Sequence, residues 1–364
     1  LYKGPLDCPG GSFLRANCHP WEFMKVDNSV FPCYPCKQSV RKGGLLLSVA
    51  DKVLELLENA NHPVSGEEMA QQLGITRNSV WKAVGKLKEQ GYEIEAATNR
   101  GYRLVSEKNV LTPQGVRRLL TGPARRCAID VQDSVTSTNT LLKQIAEHGG
   151  AEGMVLIAHQ QTQGKGRLGR AFFSPKGTGL YLSVLLRPRF SAEEALSITT
   201  AAAVAVAQAI DAVTGEYAQI KWVNDVYLRG RKVCGILTEA AVDFESGGLQ
   251  YAVLGMGVNV REPEGGFSPQ LRDIAGALYR DQVLPGVRTR LAAEILNRFF
   301  TWYEAMPARP FMEEYRRRCL LTGLEVTYTQ GERSGRCRVL GVDEEARLQV
   351  RLPDGRETAF STGE

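Results

Sequence analysis

Long apolar runs are missing from this 364-residue chain. No window approaches the ~18 uncharged apolar residues of a membrane helix. The longest apolar stretch, Ile198 to Ile210, is alanine-rich and reads as a buried helix, so no membrane partner is expected. The N-terminus also lacks a basic stretch followed by an apolar core. No secretory signal is therefore expected, and a cytoplasmic, thiol-reducing setting is the default. A large charge excess is missing too. The net charge of +5 permits nucleic-acid contact without demonstrating it. What remains, 43% hydrophobic and 23% charged residues, is ordinary globular composition. The length suits about two or three domains.

Cysteine is sparse beyond the N-terminal segment. Cys8, Cys18, Cys33 and Cys36 crowd the start, while Cys127, Cys234, Cys319 and Cys337 are dispersed and read as small buried apolar residues. Cys33-Tyr-Pro-Cys36, with Cys18-His19 upstream, is half of a zinc pattern, but a second pair is missing. Residues 1–47 are rich in Gly, Pro, Cys and aromatic residues without helical or strand period. They read as a disordered tail, and a start codon placed too far upstream would account for them.

Residues 48–105 carry a tight pattern. Val49, Val53, Leu54, Leu56 and Leu57 make an apolar helix face. Ser65-Gly-Glu-Glu68 reads as a capping box opening a short helix that ends at Leu73-Gly74. Thr76 caps a third helix, with Val80, Ala83, Val84 and Leu87 at i, i+3, i+4 and i+7. Two strand-like runs come next, 92–96 and 101–105. Three helices and a hairpin predict a winged helix-turn-helix. Arg77, Asn78, Lys82, Lys86 and Lys88 lie off the apolar face of the third helix, placed for base edges and phosphates in a major groove. Arg100 at the hairpin tip would touch backbone. A protein-interaction winged helix with a solvated basic face is the alternative.

Residues 106–112 read as a polar linker. Residues 113–318 mix helices (138–148, 193–213, 288–305, 310–318) with strands near 127–132, 154–160, 180–187, 218–228, 231–240 and 251–260. Residues 319–364 read as short β runs broken by turns, a small SH3-like β-barrel. The expected fold class is α+β.

Gly164-Lys-Gly-Arg-Leu-Gly169 reads G-x-G-x-x-G, yet the dinucleotide context is absent. No helix can open after it, because Pro175, Gly177 and Gly179 come soon afterwards. The next strand, Leu180–Leu186, carries no acid for a ribose. Lys165, Arg167 and Arg170 interleave the glycines instead, which suits a mobile loop over a phosphate; a solvated basic turn is the bland alternative. Other segments join it. Ser137-Thr-Asn139 opens a helix. Gln160-Gln161 ends a strand. Lys221-Trp-Val-Asn-Asp225 reads as a strand that sets a cation, an indole, an amide and a carboxylate together. Arg231-Lys232 begins another strand. Each sits at a strand end or helix start, a convergence that edge decoration does not explain.

The order Ser-Thr-Asn, Gln-Thr-x-Gly-Lys-Gly-Arg-x-Gly-Arg, Lys-Trp-x-Asn-Asp, Lys232 to Glu239 and Gly255-Met-Gly-Val-Asn-Val260 resembles the biotin–protein ligases. With the winged helix in front, residues 48–364 resemble the bifunctional ligase and biotin operon repressor. The resemblance implies a class II synthetase-like catalytic domain. Biotin and ATP with Mg²⁺ would give biotinyl-5′-adenylate, and the acyl group would pass to a lysine of the biotin carboxyl carrier protein of acetyl-CoA carboxylase. It also implies operator DNA as a partner and a ligand-promoted homodimer. Ser137, Thr138, Asn139 and Gln161 would hold biotin, with Lys165, Gly166, Arg167 and Lys232 over its acyl-phosphate. Gly164, Gly169, Arg170, Phe172 and Asn224 would form the adenylate loop, and Arg167, Lys232 and Asp225 would act in the chemistry. Lys165, Phe172 and Val223 depart from the usual Arg, Trp and Pro. Lipoate–protein ligase, or a ligand sensor without ligase activity, is the rival reading.

Overall fold

A computed structural model describes residues 23–26, 29–32, 48–60, 62–89, 92–97, 101–106, 111–188, 195–242, 248–280, 283–284, 286–331 and 333–363. The zinc-like Cys33, Cys36, Cys18 and His19 lie outside these residues, as does Arg100. In the tail, strands β1 (Phe23–Val26) and β2 (Ser29–Pro32) pair antiparallel, where the sequence shows no strand period.

The chain from residue 43 onward begins with helices α1 (Val49–Asn59), α2 (Gly66–Leu73) and α3 (Arg77–Glu89). The complete capping box is at Ser48 and Asp51: each side chain bonds the other's backbone N–H. Ser65 supplies the forward bond of its own cap, accepting from Glu68 N. Thr76 Oγ1 accepts from Ser79 N and starts α3. Strands β3 (Glu93–Ala97) and β4 (Gly101–Ser106) form the wing hairpin, and Val64 bridges to Tyr102 beside it. A Cβ on Gly101 would stand 2.2 Å from Val64 O, so only glycine allows this approach. Val53, Leu54, Met69, Val80, Val84, Leu87 and Ile94 pack a small core of their own.

The supposed linker ends in structure. Leu111 and Thr112 are buried, and Thr112 caps α4 (Pro113–Leu119), a helix the sequence reading lacks. Tyr92 Oη lies 3.0 Å from Thr112 Oγ1 in a buried contact that ties the winged helix to the start of α4.

The central sheet has seven strands: β5 (Ala128–Gln132), β6 (Met154–Ala158), β7 (Gly179–Leu186), β8 (Gln219–Lys221), β9 (Asp225–Leu228), β10 (Arg231–Val242) and β11 (Leu249–Asn259). Their order is β5-β6-β7-β11-β10-β9-β8; β5 and β6 run parallel and every other pair antiparallel. Helix α5 (Thr138–Glu147) packs on β7 and β11. Helices α6 (Ala195–Thr214), α7 (Val287–Glu304) and α8 (Phe311–Arg318) pack together against the sheet. The segment Leu196–Thr214 is apolar and long enough to cross a membrane, but it is 78% buried. Its alanines let α7 and the sheet approach closely, so it is a core helix.

Strands β12 (Glu325–Gln330), β13 (Arg333–Val342), β14 (Leu348–Arg351) and β15 (Glu357–Phe360) form a four-stranded antiparallel sheet in sequence order. Cys337, Val339, Val350 and Phe360 join the central core. The run Lys221–Asp225 is not one strand, a correction to the sequence reading. It breaks into a turn between β8 and β9, with a cis bond between Trp222 and Val223. Trp222 Nε1 donates to Ala346 O (2.9 Å) and Tyr315 Oη to Val223 O (3.1 Å), which fastens the turn to the β13–β14 connection and to α8.

Candidate active site

A cavity of about 460 Å³ opens on the face of the central sheet that carries α5. Ser137, Thr138, Asn139, Gln161, Lys165, Gly166, Arg167, Arg170, Phe172, Asn224, Asp225 and Lys232 all line it, so five sequence segments meet at one place. Gly164 and Gly169 lie in the frame of the loop. Gly164 O accepts from Phe172 N (2.8 Å), Gly166 N donates to Arg170 O (2.7 Å), and Gly169 has φ +73°. Only one short 3₁₀ turn, Arg167–Gly169, occurs here, so no dinucleotide helix opens.

One end of the cavity is neutral and tightly bonded. Ser137 caps α5, so Thr138 and Asn139 sit in its first turn and are buried. Gln161 Oε1 accepts from Thr138 N (2.9 Å) and Thr138 Oγ1 (3.1 Å), while its Nε2 donates to Ser174 Oγ (3.0 Å). Ser183 Oγ lies 2.6 Å from both Thr138 Oγ1 and Asn139 Oδ1, so one buried hydroxyl joins the two side chains. Asn139 Nδ2 donates to Glu239 Oε2 (2.9 Å), and Lys143 Nζ reaches Glu239 Oε1 (3.0 Å). Burial alone would raise the Glu239 carboxyl. The bonds from Asn139 and Lys143 outweigh it and hold the carboxyl below the usual carboxylate range. The bond to Glu239 in turn raises the Lys143 ammonium.

The other end is cationic. Lys232 Nζ stands 2.6 Å from Asp225 Oδ1, close enough for an ion pair, though that oxygen receives no well-aligned hydrogen bond. Arg167 donates to Asn224 Oδ1 (3.0 Å), and Asn224 Nδ2 to Ile236 O (2.7 Å), so the loop arginine is anchored through an amide to β10. Between the ends the floor is glycine. A Cβ on Gly255 would fall 2.2 Å from Asn139 Oδ1, and one on Gly257 2.5 Å from the Phe172 ring. The absent side chains let the Asn139 amide and the Phe172 ring lie directly on the strand. Burial pushes the Cys234 thiol up, which keeps it unreactive in the wall.

Some residues of the site escaped the sequence reading. Ser183, buried behind the cavity, hides in an apolar strand. Gly255 and Gly257, which belong to the Gly255–Val260 motif already quoted, line the floor. Phe267, Leu271 and Ile274 come from turns without any period, yet this segment bonds across Lys232: Lys232 N donates to Ile274 O (2.9 Å) and Gly276 N to Lys232 O (2.8 Å).

Residues 131–259 match the Biotin/lipoate A/B protein ligase family, and residues 50–103 match an HTH domain. A biotin protein ligase structure from Aquifex aeolicus, in complex with biotin and ATP, superposes with a TM-score of 0.53 at 27% identity, covering 65% of this chain and 96% of that one. The bifunctional ligase/repressor BirA of Bacillus subtilis is 34% identical over 227 residues, 62% of this chain and 69% of the relative. The biotin–[acetyl-CoA-carboxylase] ligase of Mycobacterium tuberculosis is 31% identical over 245 residues, 65% and 87% of the two chains. This chain belongs to the family of bifunctional biotin ligases and repressors.

Proposed function

We infer that this chain is a BirA-type biotin–[acetyl-CoA-carboxylase] ligase with an N-terminal helix-turn-helix DNA-binding domain, bifunctional as ligase and repressor. The observation that carries the ligase chemistry is one cavity with a neutral, pre-bonded end and a cationic end. In the first step a carboxylate oxygen of biotin attacks the α-phosphorus of ATP, and pyrophosphate leaves with the bonding pair. In the second the amine of a carrier lysine attacks the acyl carbon of the adenylate. AMP leaves, and the amine gives up a proton. Both steps develop negative charge on oxygen, which cations fixed beforehand stabilise.

Ser137, Thr138, Asn139 and Gln161 hold the biotin head. Lys165, Gly166 and Arg167 cover the acyl-phosphate, with Gly164, Gly169, Arg170, Phe172 and Asn224 shaping the loop. Lys232 faces the carboxylate and α-phosphate, and Asp225 orients the incoming amine or a metal. Magnesium fits this set as an ion carried by the nucleotide, since it binds through one or two carboxylates plus phosphates. Asp225 supplies a carboxylate, and among the described residues no cluster of three or more His, Cys, Asp or Glu could cage a metal alone. When bound, the ion would neutralise phosphate charge. The biotin carboxyl carrier protein and operator DNA are the macromolecular partners. One winged helix offers few phosphate contacts, so a homodimer promoted by the adenylate would bind operator DNA. Incubation with labelled biotin, ATP and the carrier domain tests the ligase, with lipoate as competitor. Transfer of lipoate in place of biotin would overturn the substrate assignment.

A further inference from the structure

The outward face of α3 carries a feature that phosphate binding does not use. Val80, Ala83, Val84 and Leu87 are buried. The same spacing on the opposite side selects Asn78, Trp81, Lys82 and Gly85, which are all exposed. Trp81 is 64% exposed, in the middle of the helix. An indole left in water forgoes the burial that normally stabilises it, so at this exposure Trp81 adds little to the packing of the described residues. Gly85, one turn on, is the second observation. A glycine inside a helix is destabilising relative to alanine. Nothing in the fold requires it: a Cβ there would meet nothing within 4 Å. The face therefore has a projecting apolar plate beside a recess, and Arg77, Lys82, Lys86 and Lys88 surround both.

A polyanion with apolar groups in a groove fits this surface. Duplex DNA is such a partner, because thymine presents its C5-methyl in the major groove between two phosphate rails. We propose that Trp81 reads a thymine methyl in the operator and that Gly85 lets α3 settle close enough for it to do so. The proposal rests on the DNA-binding reading above and adds to it a residue that carries base specificity. The indole is uncharged, so it discriminates sequence without changing the number of phosphates neutralised. The lysines do the reverse.

The test uses the full chain with biotin and ATP and duplexes selected by it from a randomised pool. Each thymine of a selected duplex is replaced in turn by deoxyuridine, which removes only the methyl. At one position per half-site the wild type should lose roughly tenfold in affinity. Trp81→Ala should bind the methylated duplex roughly tenfold more weakly and be indifferent to deoxyuridine there, with the salt dependence unchanged. Lys86→Ala should instead flatten the salt dependence and keep the deoxyuridine effect. Gly85→Leu should weaken binding while the helix melts no lower. The helical circular dichroism and the melting of the winged helix, whose core is its own, should not fall in any of the three variants, which reports an intact reader. A Trp81→Ala chain that keeps the deoxyuridine effect would overturn the proposal and spare the DNA-binding reading. A wild-type chain that selects no duplex would remove both.

Discussion

The ligase cavity and the outward face of α3 are built on opposite plans. In the cavity, groups from α5, β7, β10 and the glycine loop hold one another before any ligand arrives. Ser183 is fully buried, and Gln161 uses both ends of its amide on protein partners. On α3 the important side chains come from a single helix and point into solvent. The difference arises from the tasks. A reaction that develops charge gains most from dipoles fixed in advance. A groove reader is completed by its partner, so its geometry needs only a rigid helix and the right spacing.

Separating the two regions has the largest expected effect. The winged-helix core and the central core are separate clusters of buried residues. A chain starting at Leu111 keeps that buried residue and the Thr112 cap on Gly115 N (3.1 Å). It loses the Tyr92–Thr112 contact. DNA binding should vanish completely, while pyrophosphate exchange survives. A gel shift by the shortened chain would show that α3 is not the reader.

Within the cavity, Lys232→Ala should have the largest effect. It removes a transition-state cation and strands Asp225 beside the reacting phosphate. Loss of one such donor costs on the order of 3 kcal/mol, or about a hundredfold in pyrophosphate exchange. A loss below a few-fold would take Lys232 off the reaction path.

Arg167→Gly should act later in the sequence of steps. Arg167 is tied to β10 through Asn224, so its loss frees the loop rather than the floor. Adenylate should still form but escape, labelling bystander lysines that never meet the active site. Labelling confined to the carrier domain would contradict the assigned role.

The same contrast explains what the sequence made legible. The three helices of the winged domain are local, and their periods and caps locate them. The ligase motifs were visible because they cluster at element ends, and the structure brings every motif segment to one cavity. Long-range events were not visible. Lys221–Asp225 has strand composition, but Trp222 and Val223 are buried, bonded to Ala346 and to Tyr315 of α8, and the strand breaks there. Helix α4 carried a readable Thr112-Pro113 start, yet its seven residues are too short to show a period. Ser183 sits in a strand buried along its whole length, and only the fold reveals that its hydroxyl faces Thr138 and Asn139.

The smallest expected effect tests whether the cavity is held from behind. Glu239 accepts from Asn139 and Lys143, which fixes the Asn139 amide with its oxygen toward Ser183. Glu239→Gln removes the ion pair and leaves a partner that can also present a donor to Asn139. The Lys143–Glu239 pair is partly exposed, so the cost should be about 1 kcal/mol or less near neutral pH. The KM for biotin should rise a few-fold with kcat nearly unchanged, as expected of a positioning residue. The pH dependence adds a second readout. The Glu239 carboxyl titrates below its unfolded value, about 4.3 for a free glutamate. Its contribution is therefore present above that value and drains away as pH falls through the folded one. Wild type should lose melting temperature in acid more steeply than Glu239→Gln, and the two curves should converge at the acid end. Parallel curves from neutral to acid pH would mean that Glu239 contributes no linked stability and that Asn139 is held by Leu237 O and Ser183 alone.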